Sequence, residues 1–441
     1  MIKHPALRSI HFKTLKKYIL LSFFSCCLAI NVQGQTFPNA GKLQPQIAIT
    51  NHKTLTYSLY IPKSGTANCA ILFFDPHGNG NVPITLYQTL ADAFNIVLIG
   101  NNNSANGMNF NTISENFNTL LIELKEKYNI SEKNIILWGF SGGAKAAMYV
   151  SSMHTNIHYC IYGGAFWDIP NTNSNLNLLG FNGNKDMNYT DLLSFANAQK
   201  NNPNHYQIEF TGKHAWPDTT TAKDAFRWIL LKKMQQKEIP INKPFVLKIQ
   251  KEYQHQLESL KTKKNLLEAY LTCNKAIYFL KSLCDITYFQ QQQTQIAASA
   301  DFSKELAIKQ ASYKKEVQQK MQLQNDFFEK DTLYWKHKID ELHKNEATDF
   351  TGVSSRLLGF LSLAAYSYAQ HAFAENNKSA LVNILFIYQH ADPKNPEQAF
   401  MRAKYYALLG NYKSAKIALE EAKKLGIENS RILQEPLLKG L

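Results

Sequence analysis

Asn134–Val150 reads N-I-I-L-W-G-F-S-G-G-A-K-A-A-M-Y-V, and this stretch decides the fold. Ile135, Ile136, Leu137 and Trp138 form an apolar run of the kind a strand buried on both faces requires. Gly139-Phe140-Ser141-Gly142-Gly143 follows and fits G-x-S-x-G. Ala144–Val150 is rich in good helix formers. Strand, tight turn and helix together give the motif a mechanical meaning. The flanking glycines are needed where a side chain would strike the neighbouring strand or helix. The Ser141 hydroxyl then stands beyond the C-terminal edge of a sheet, at the positive end of a helix. A plain Gly-rich turn with Ser141 as a helix N-cap is the alternative.

Working outward, strands are expected around Gln46–Thr50, Thr54–Ile61, Cys69–Phe74, Ile96–Ile99, His158–Tyr162, Asn177–Phe181 and Tyr206–Phe210. Helices are expected at about Ile84–Phe94, Ile113–Lys127 and Thr219–Gln235. Strand and helix alternate, which predicts an α/β fold with a doubly wound, mostly parallel sheet. Chemistry in such sheets sits beyond the C-terminal strand ends.

Each candidate catalytic group falls at such an end. His214 follows the last strand in T-G-K-H-A-W-P and is the candidate base that takes the Ser141 proton. Asp186, in G-N-K-D-M-N-Y, is the favoured third member, holding the imidazole in one tautomer. Asp168, one strand earlier, is the rival, and a helix N-cap is the ordinary role for either. An oxyanion hole requires two N–H donors. Gly142 is expected to supply one, and Gly78 or Asn79, in D-P-H-G-N-G after the Cys69–Phe74 strand, the other. Phe140, Phe166, Trp167 and Trp216 are candidates for an apolar substrate pocket or for core. Asn101–Asn111 is a candidate rim loop.

Residues 44–236 resemble the α/β-hydrolase superfamily through I-I-L-W-G-F-S-G-G, G-N-K-D-M-N-Y and G-K-H-A-W-P. They look most like exported esterases of the polyhydroxybutyrate-depolymerase and feruloyl-esterase kind and their dienelactone-hydrolase relatives. The resemblance implies Ser141, Asp186 and His214 as a catalytic triad, ester substrates of small or polymer-linked kind, and no metal or cofactor. D-P-H-G-N-G departs from the usual oxyanion segment of those enzymes.

At 441 residues the chain exceeds one core. The formal charge is +14, and five of the basic residues (Lys3, Arg8, Lys13, Lys16, Lys17) lie in a leading segment without acids. Most of the remaining surplus is spread over the C-terminal half with acids interleaved, the pattern of a solvated helix surface, and no nucleic-acid motif accompanies it. Residues 1–34 read as a secretory signal: a basic start, an apolar run from Tyr18 to Ile30, and Val32 and Gly34 before the cleavage point. Cys26 and Cys27 follow Phe23-Phe24-Ser25, a poor lipobox. Export implies an oxidising compartment. Cys69 and Cys160 fall in expected strands as buried thiols. Cys273 and Cys284 would stand about 16 Å apart on one helix, too far for a disulfide unless the helix breaks.

After Pro240–Pro244 the composition changes to Lys, Gln, Leu and Glu, and glycine is absent until Gly352. An all-α region follows, as a long-helix part (241–350) after the sheet domain (35–240). Phe245–Leu283 and Phe302–Glu341 are expected as long amphipathic helices, paired antiparallel in the manner of a coiled coil, with Gln290–Gln293 and Gln295 as a polar joint. In residues 351–441, Asn376-Asn377-Lys378-Ser379-Ala380 recurs 35 residues later as Asn411-Tyr412-Lys413-Ser414-Ala415. This resembles a tetratricopeptide repeat, with plain helical hairpins as the alternative. The resemblance implies a surface for a protein partner or a second copy of the chain. Two functions follow: an exported serine esterase, with a peptidase as its variant, or a hydrolase-fold scaffold that works through its helices.

Overall fold

The computed structural model describes residues 39–67, 69–168 and 175–440. The expected signal segment, with Cys26 and Cys27, lies outside them. The chain order is β1 (Gln44–Ile49), β2 (His52–Tyr60), β3 (Cys69–Phe74), α1 (Asn81–Phe94), β4 (Ile96–Asn101), α2 (Phe110–Tyr128), β5 (Ile135–Phe140), α3 (Gly142–Met153), β6 (Tyr159–Gly163), β7 (Asn177–Gly183), α4 (Tyr189–Ala198), β8 (His205–Phe210) and α5 (Thr219–Gln235). The eight strands make one sheet in the order β1-β2-β4-β3-β5-β6-β7-β8. β2 runs antiparallel to both neighbours, and all pairs from β4 to β8 are parallel. This is the α/β-hydrolase arrangement, with the Ser141 strand β5 at its centre.

Strand alternation divides the core. Ile71, Phe73, Ile136, Trp138, Ile161, Leu179 and Phe181 face α1 and α5. Ala70, Leu72, Phe74, Ile135, Leu137, Cys160 and Tyr162 face α2, α3 and α4. Both faces are buried, so the strands read as continuous apolar runs. Cys69 and Cys160 are free buried thiols, and burial pushes each up to about 12.

An all-helical region follows: α6 (Lys243–Thr262), α7 (Leu266–Leu280), α8 (Thr287–Ala297), α9 (Ala300–Glu329), α10 (Thr332–Glu346), α11 (Val353–Ala374), α12 (Lys378–Ala391), α13 (Pro396–Leu408), α14 (Tyr412–Leu425) and α15 (Asn429–Gln434). Phe245–Leu283 is thus two helices, not one. Lys264 adopts φ 55° and the Asn265 side chain caps α7. Phe302–Glu341 is likewise split, because Asp331 caps a new helix at Tyr334 N. The Gln-rich stretch is no joint: it lies inside α8, where glutamine is a good helix former and Phe289 and Ile296 supply the buried side. The chain does break between Cys273 and Cys284, after Leu280, yet both thiols are free.

The apolar core on the α1/α5 face continues without interruption into α6, α7, α8 and the start of α9. Three ties carry α9 past the sheet edge. Lys309 meets Glu209 of β8 at 2.6 Å, Tyr313 meets Tyr189, and Lys320 reaches the start of α4. A separate core joins α9 to α12, and another joins α13 and α14. The recurring segments start α12 and α14 but cap them one position apart in the repeat: Asn377 accepts from Ala380 N, whereas Asn411, which aligns with Asn376, accepts from Ser414 N. Among the described residues, no helix is long and apolar enough to cross a membrane.

Candidate active site

Ser141 occupies the turn between β5 and α3 with φ 53° and ψ −126°. That conformation costs a non-glycine residue on the order of 1–3 kcal/mol and persists only where its surroundings impose it. They do so here through close backbone approach. A Cβ on Gly139 would come within 2.2 Å of Gly143 O, and one on Gly143 within 1.9 Å of Phe74 O. Ser141 N donates to Gly163 O at 2.8 Å, which pins the turn to β6. Ser141 stands at the N-cap position of α3, but its hydroxyl makes no capping bond. Its Oγ lies 3.0 Å from His214 Nε2 instead.

His214 Nδ1 lies 2.9 Å from both carboxylate oxygens of Asp186. Asp186 is 2% exposed and His214 22%. Asn188 N donates to Asp186 Oδ1 at 2.9 Å. The loops carrying the two residues are locked together, since Asn184 N donates to Phe210 O and Lys185 N to Gly212 O, each at 2.8 Å. With the proton on Nδ1, the imidazole donates to Asp186, and Nε2 is free to accept the Ser141 proton. Asp168 is exposed and makes no bond to His214 among the described contacts.

Gly142, at the first position of α3, has an N–H with no intrahelical acceptor. Gly78 and Asn79 are placed differently from expectation. Gly78 N donates to Asp75 O at 3.1 Å, and Asn79 N is directed to Asp75 Oδ1 at 3.4 Å. Neither residue lines the cavity at Ser141. The buried Asp75 carboxylate explains this, because it gathers the loop's own amides, His77 N included at 2.9 Å. The same carboxylate accepts from Trp216 Nε1 at 3.1 Å. The departure D-P-H-G therefore has a structural reason.

Asn106 stands beside the Ser141 turn. Its side-chain amide stands directly against Gly142, where an added Cβ would meet Asn106 Oδ1 at 1.7 Å, and it lines the cavity beside Ser141. Asn106 N donates to Pro76 O at 2.8 Å, which fastens the rim loop to the β3 loop. The sequence marked that loop only as an Asn-rich rim. No spacing singled out Asn106, since the contact joins positions far apart in the chain.

Of the aromatic candidates, Phe140 lines the cavity, and its ring lies 4.8 Å from the His214 ring. Trp216 lies behind Phe140, with the rings tilted and 5.5 Å apart, and packs on the core beneath. Trp167 sits between Phe110 and Tyr149 and does not line the cavity. Phe166 stacks on Phe195 at 4.5 Å. Among the described residues no group of three His, Cys, Asp or Glu side chains is arranged to hold a metal ion.

The cavity has a volume of about 730 Å³, within the range of small-molecule sites. One wall is the sheet edge, with Ser141, His214, Lys185 and Met187. The other is helical, with His343 and Glu346 of α10, Leu358, Ser362 and Tyr366 of α11, and Tyr388 of α12. Lys213 Nζ meets Glu346 Oε1 at 2.8 Å across the two walls. The helical region therefore roofs the site.

No protein-family model matches the chain, and no curated protein sequence matches it. Among solved structures, the chain is similar over part of its length to Est1E from Butyrivibrio proteoclasticus, at 12% identity over 44% of this chain and 100% of that one, with a TM-score of 0.35. It is similar to a carboxylesterase from Mesorhizobium loti at 12% identity over 42% and 99% of the two chains, with a TM-score of 0.34. It is also similar to esterase PE8 at 17% identity over 39% and 98%, with a TM-score of 0.33.

Proposed function

We propose that this protein is a serine hydrolase of carboxylic esters, exported by its leading segment. One observation carries the reading: a serine held at φ 53° places its hydroxyl 3.0 Å from an imidazole whose other nitrogen lies 2.9 Å from a buried carboxylate. In this reading His214 takes the proton as Ser141 Oγ attacks the ester carbonyl. The tetrahedral oxyanion accepts from Gly142 N–H and, as second donor, from Asn106 Nδ2 once the carboxamide, whose Oδ1 is the atom nearer Gly142, turns over. His214 returns the proton to the departing alcohol, and the acyl-Ser141 ester remains. Water, deprotonated by the same imidazole, then releases the acid.

The roof restricts the substrate. An ester reaches Ser141 only with the acyl or alcohol part small enough to enter between α10–α12 and the sheet edge. A polymer-linked acyl group, hydroxycinnamoyl included, fits this reading as a side group that enters while its backbone stays outside.

The test uses the full mature chain and its Ser141→Ala variant with p-nitrophenyl acetate and a fluorophosphonate probe. The expected result is turnover and labelling by the first, with a loss of about a thousandfold or more in the second. Absence of both from the unmutated chain, or equal turnover by the variant, overturns the reading and returns the scaffold function to consideration.

A further inference from the structure

The loop that carries Asp186 has two sides. One faces His214. The other is gripped by the helical region, through groups that do not line the cavity. The Arg356 guanidinium of α11 is fully buried, as is Glu316 of α9, to which Arg356 Nε and Nη2 donate at 2.8 and 2.6 Å. Nη1 of the same guanidinium donates to Asn184 O and, at 2.8 Å, to Thr351 O. Its Cζ lies 4.6 Å from the ring centre of Tyr189, the first residue of α4. From α9, Lys320 Nζ donates to Met187 O at 2.8 Å and to Thr190 Oγ1 at 3.1 Å. The carbonyls of residues 184 and 187, on either side of Asp186, are thus both held by cations of the helical region. The backbones also touch closely. A Cβ on Gly352 would meet Asn184 O at 2.4 Å, and one on Gly359 would meet Met187 Cβ at 3.2 Å.

A fully buried ion pair is a poor device for stability, since a well-packed apolar pair of the same volume often does as well or better. Its value lies in direction, because a guanidinium fork fixes several acceptors at once in a planar array. We infer that Arg356, backed by Glu316, is a positioning residue that sets Asp186 against His214, so that the helical region is part of the catalytic apparatus. The inference rests on the hydrolase reading above. Its physical basis is the steep dependence of such chemistry on placement, in which about 1 Å of misplacement costs on the order of a hundredfold.

The test compares the full mature chain with Arg356→Met, Arg356→Lys and the apolar pair Arg356→Met/Glu316→Leu, each also in an Asp186→Ala background. The readouts are the thermal midpoint, kcat and KM for p-nitrophenyl acetate, the pH dependence of kcat/KM, and the downfield proton resonance of a histidine Nδ1–H bonded to a carboxylate. The apolar pair leaves Asn184 O, Thr351 O and Lys320 Nζ short of a partner, so its midpoint is expected to fall; the folded protein should lose at least tenfold in kcat at unchanged KM, and lose the downfield signal. In the Asp186→Ala background the Arg356 substitutions should cost nothing further. Full kcat with an intact signal in the folded apolar pair overturns the inference, as does an undiminished loss in the Asp186→Ala background. Absence of turnover from the unmutated chain would instead sink the hydrolase reading, and the proton signal would still decide the role of Arg356.

Discussion

Asp75 and Trp216, 141 positions apart, are joined by a 3.1 Å hydrogen bond from the indole Nε1 to a carboxylate oxygen. The bond ties the loop after β3 to the loop that carries His214. Trp216 in turn backs Phe140, whose ring supports the His214 imidazole. Replacing Trp216 by phenylalanine leaves a buried carboxylate short of a donor. A destabilisation of about 1–3 kcal/mol is expected, with a several-fold fall in kcat. Asp75→Asn should cost at least as much, because donors meet both carboxylate oxygens and the new NH2 would face either the indole N–H or the loop amides. Denaturant midpoints and steady-state kinetics check both, and equal stability of Trp216→Phe and the unmutated chain would show that the bond is idle.

Asn106→Ala should lower kcat about a hundredfold with little change in KM, the signature of a donor that acts on the developing oxyanion. Gly142→Ala should do similar damage, because the added methyl displaces Asn106. The two losses should not add in the double variant. Additive losses would separate the residues and remove Asn106 from the oxyanion site.

Gly143→Ala should be severe for the fold, since its methyl would lie 1.9 Å from Phe74 O between two buried strands and a helix. A cost of at least about 3 kcal/mol is expected. Gly107→Ala is the contrast. That glycine has φ +87° but nothing within 4 Å, so only the backbone preference is lost, on the order of 1 kcal/mol. Urea unfolding of both variants measures the difference.

His205 supplies a pH dependence. Its ring is buried against Tyr162, 2.7 Å from the phenol oxygen, and burial pushes it down from 6.5 to about 4. A histidine lowered on folding stabilises the protein above its unfolded value, and that stability is lost as pH falls from about 6.5 towards 4. The change is on the order of 3 kcal/mol. His205→Gln should flatten this part of the stability profile. Thermal midpoints at pH 7 and pH 4.5 test it, and a parallel drop in both proteins would assign the loss to other groups.

The sheet was legible because buried parallel strands must be apolar throughout and the turns between them must carry glycine or asparagine. Ile135–Trp138, Cys69–Phe74 and Ile96–Ile99 each announce themselves in this way. The order Ser141, Asp186, His214 was readable for the same reason, since each residue follows a strand end. Helix breaks at Lys264 and Lys330 were not readable. Lysine and glutamine runs continue a helical pattern whether or not a local cap interrupts them, and Asn265 and Asp331 resemble ordinary surface residues until their side chains are seen to accept an amide.

By itself the amino-acid sequence determined the layered α/β architecture, the Ser141 turn, and an all-helical second half, because each depends on local composition and short spacing. Only the tertiary structure decided what that second half does at the site. The cavity wall from α10 to α12, the Arg356 grip on Asn184, and the Asn106 amide beside Gly142 all join positions distant in the chain. Such contacts arise from packing and buried polar pairing, and neither leaves a period or motif along a single sequence.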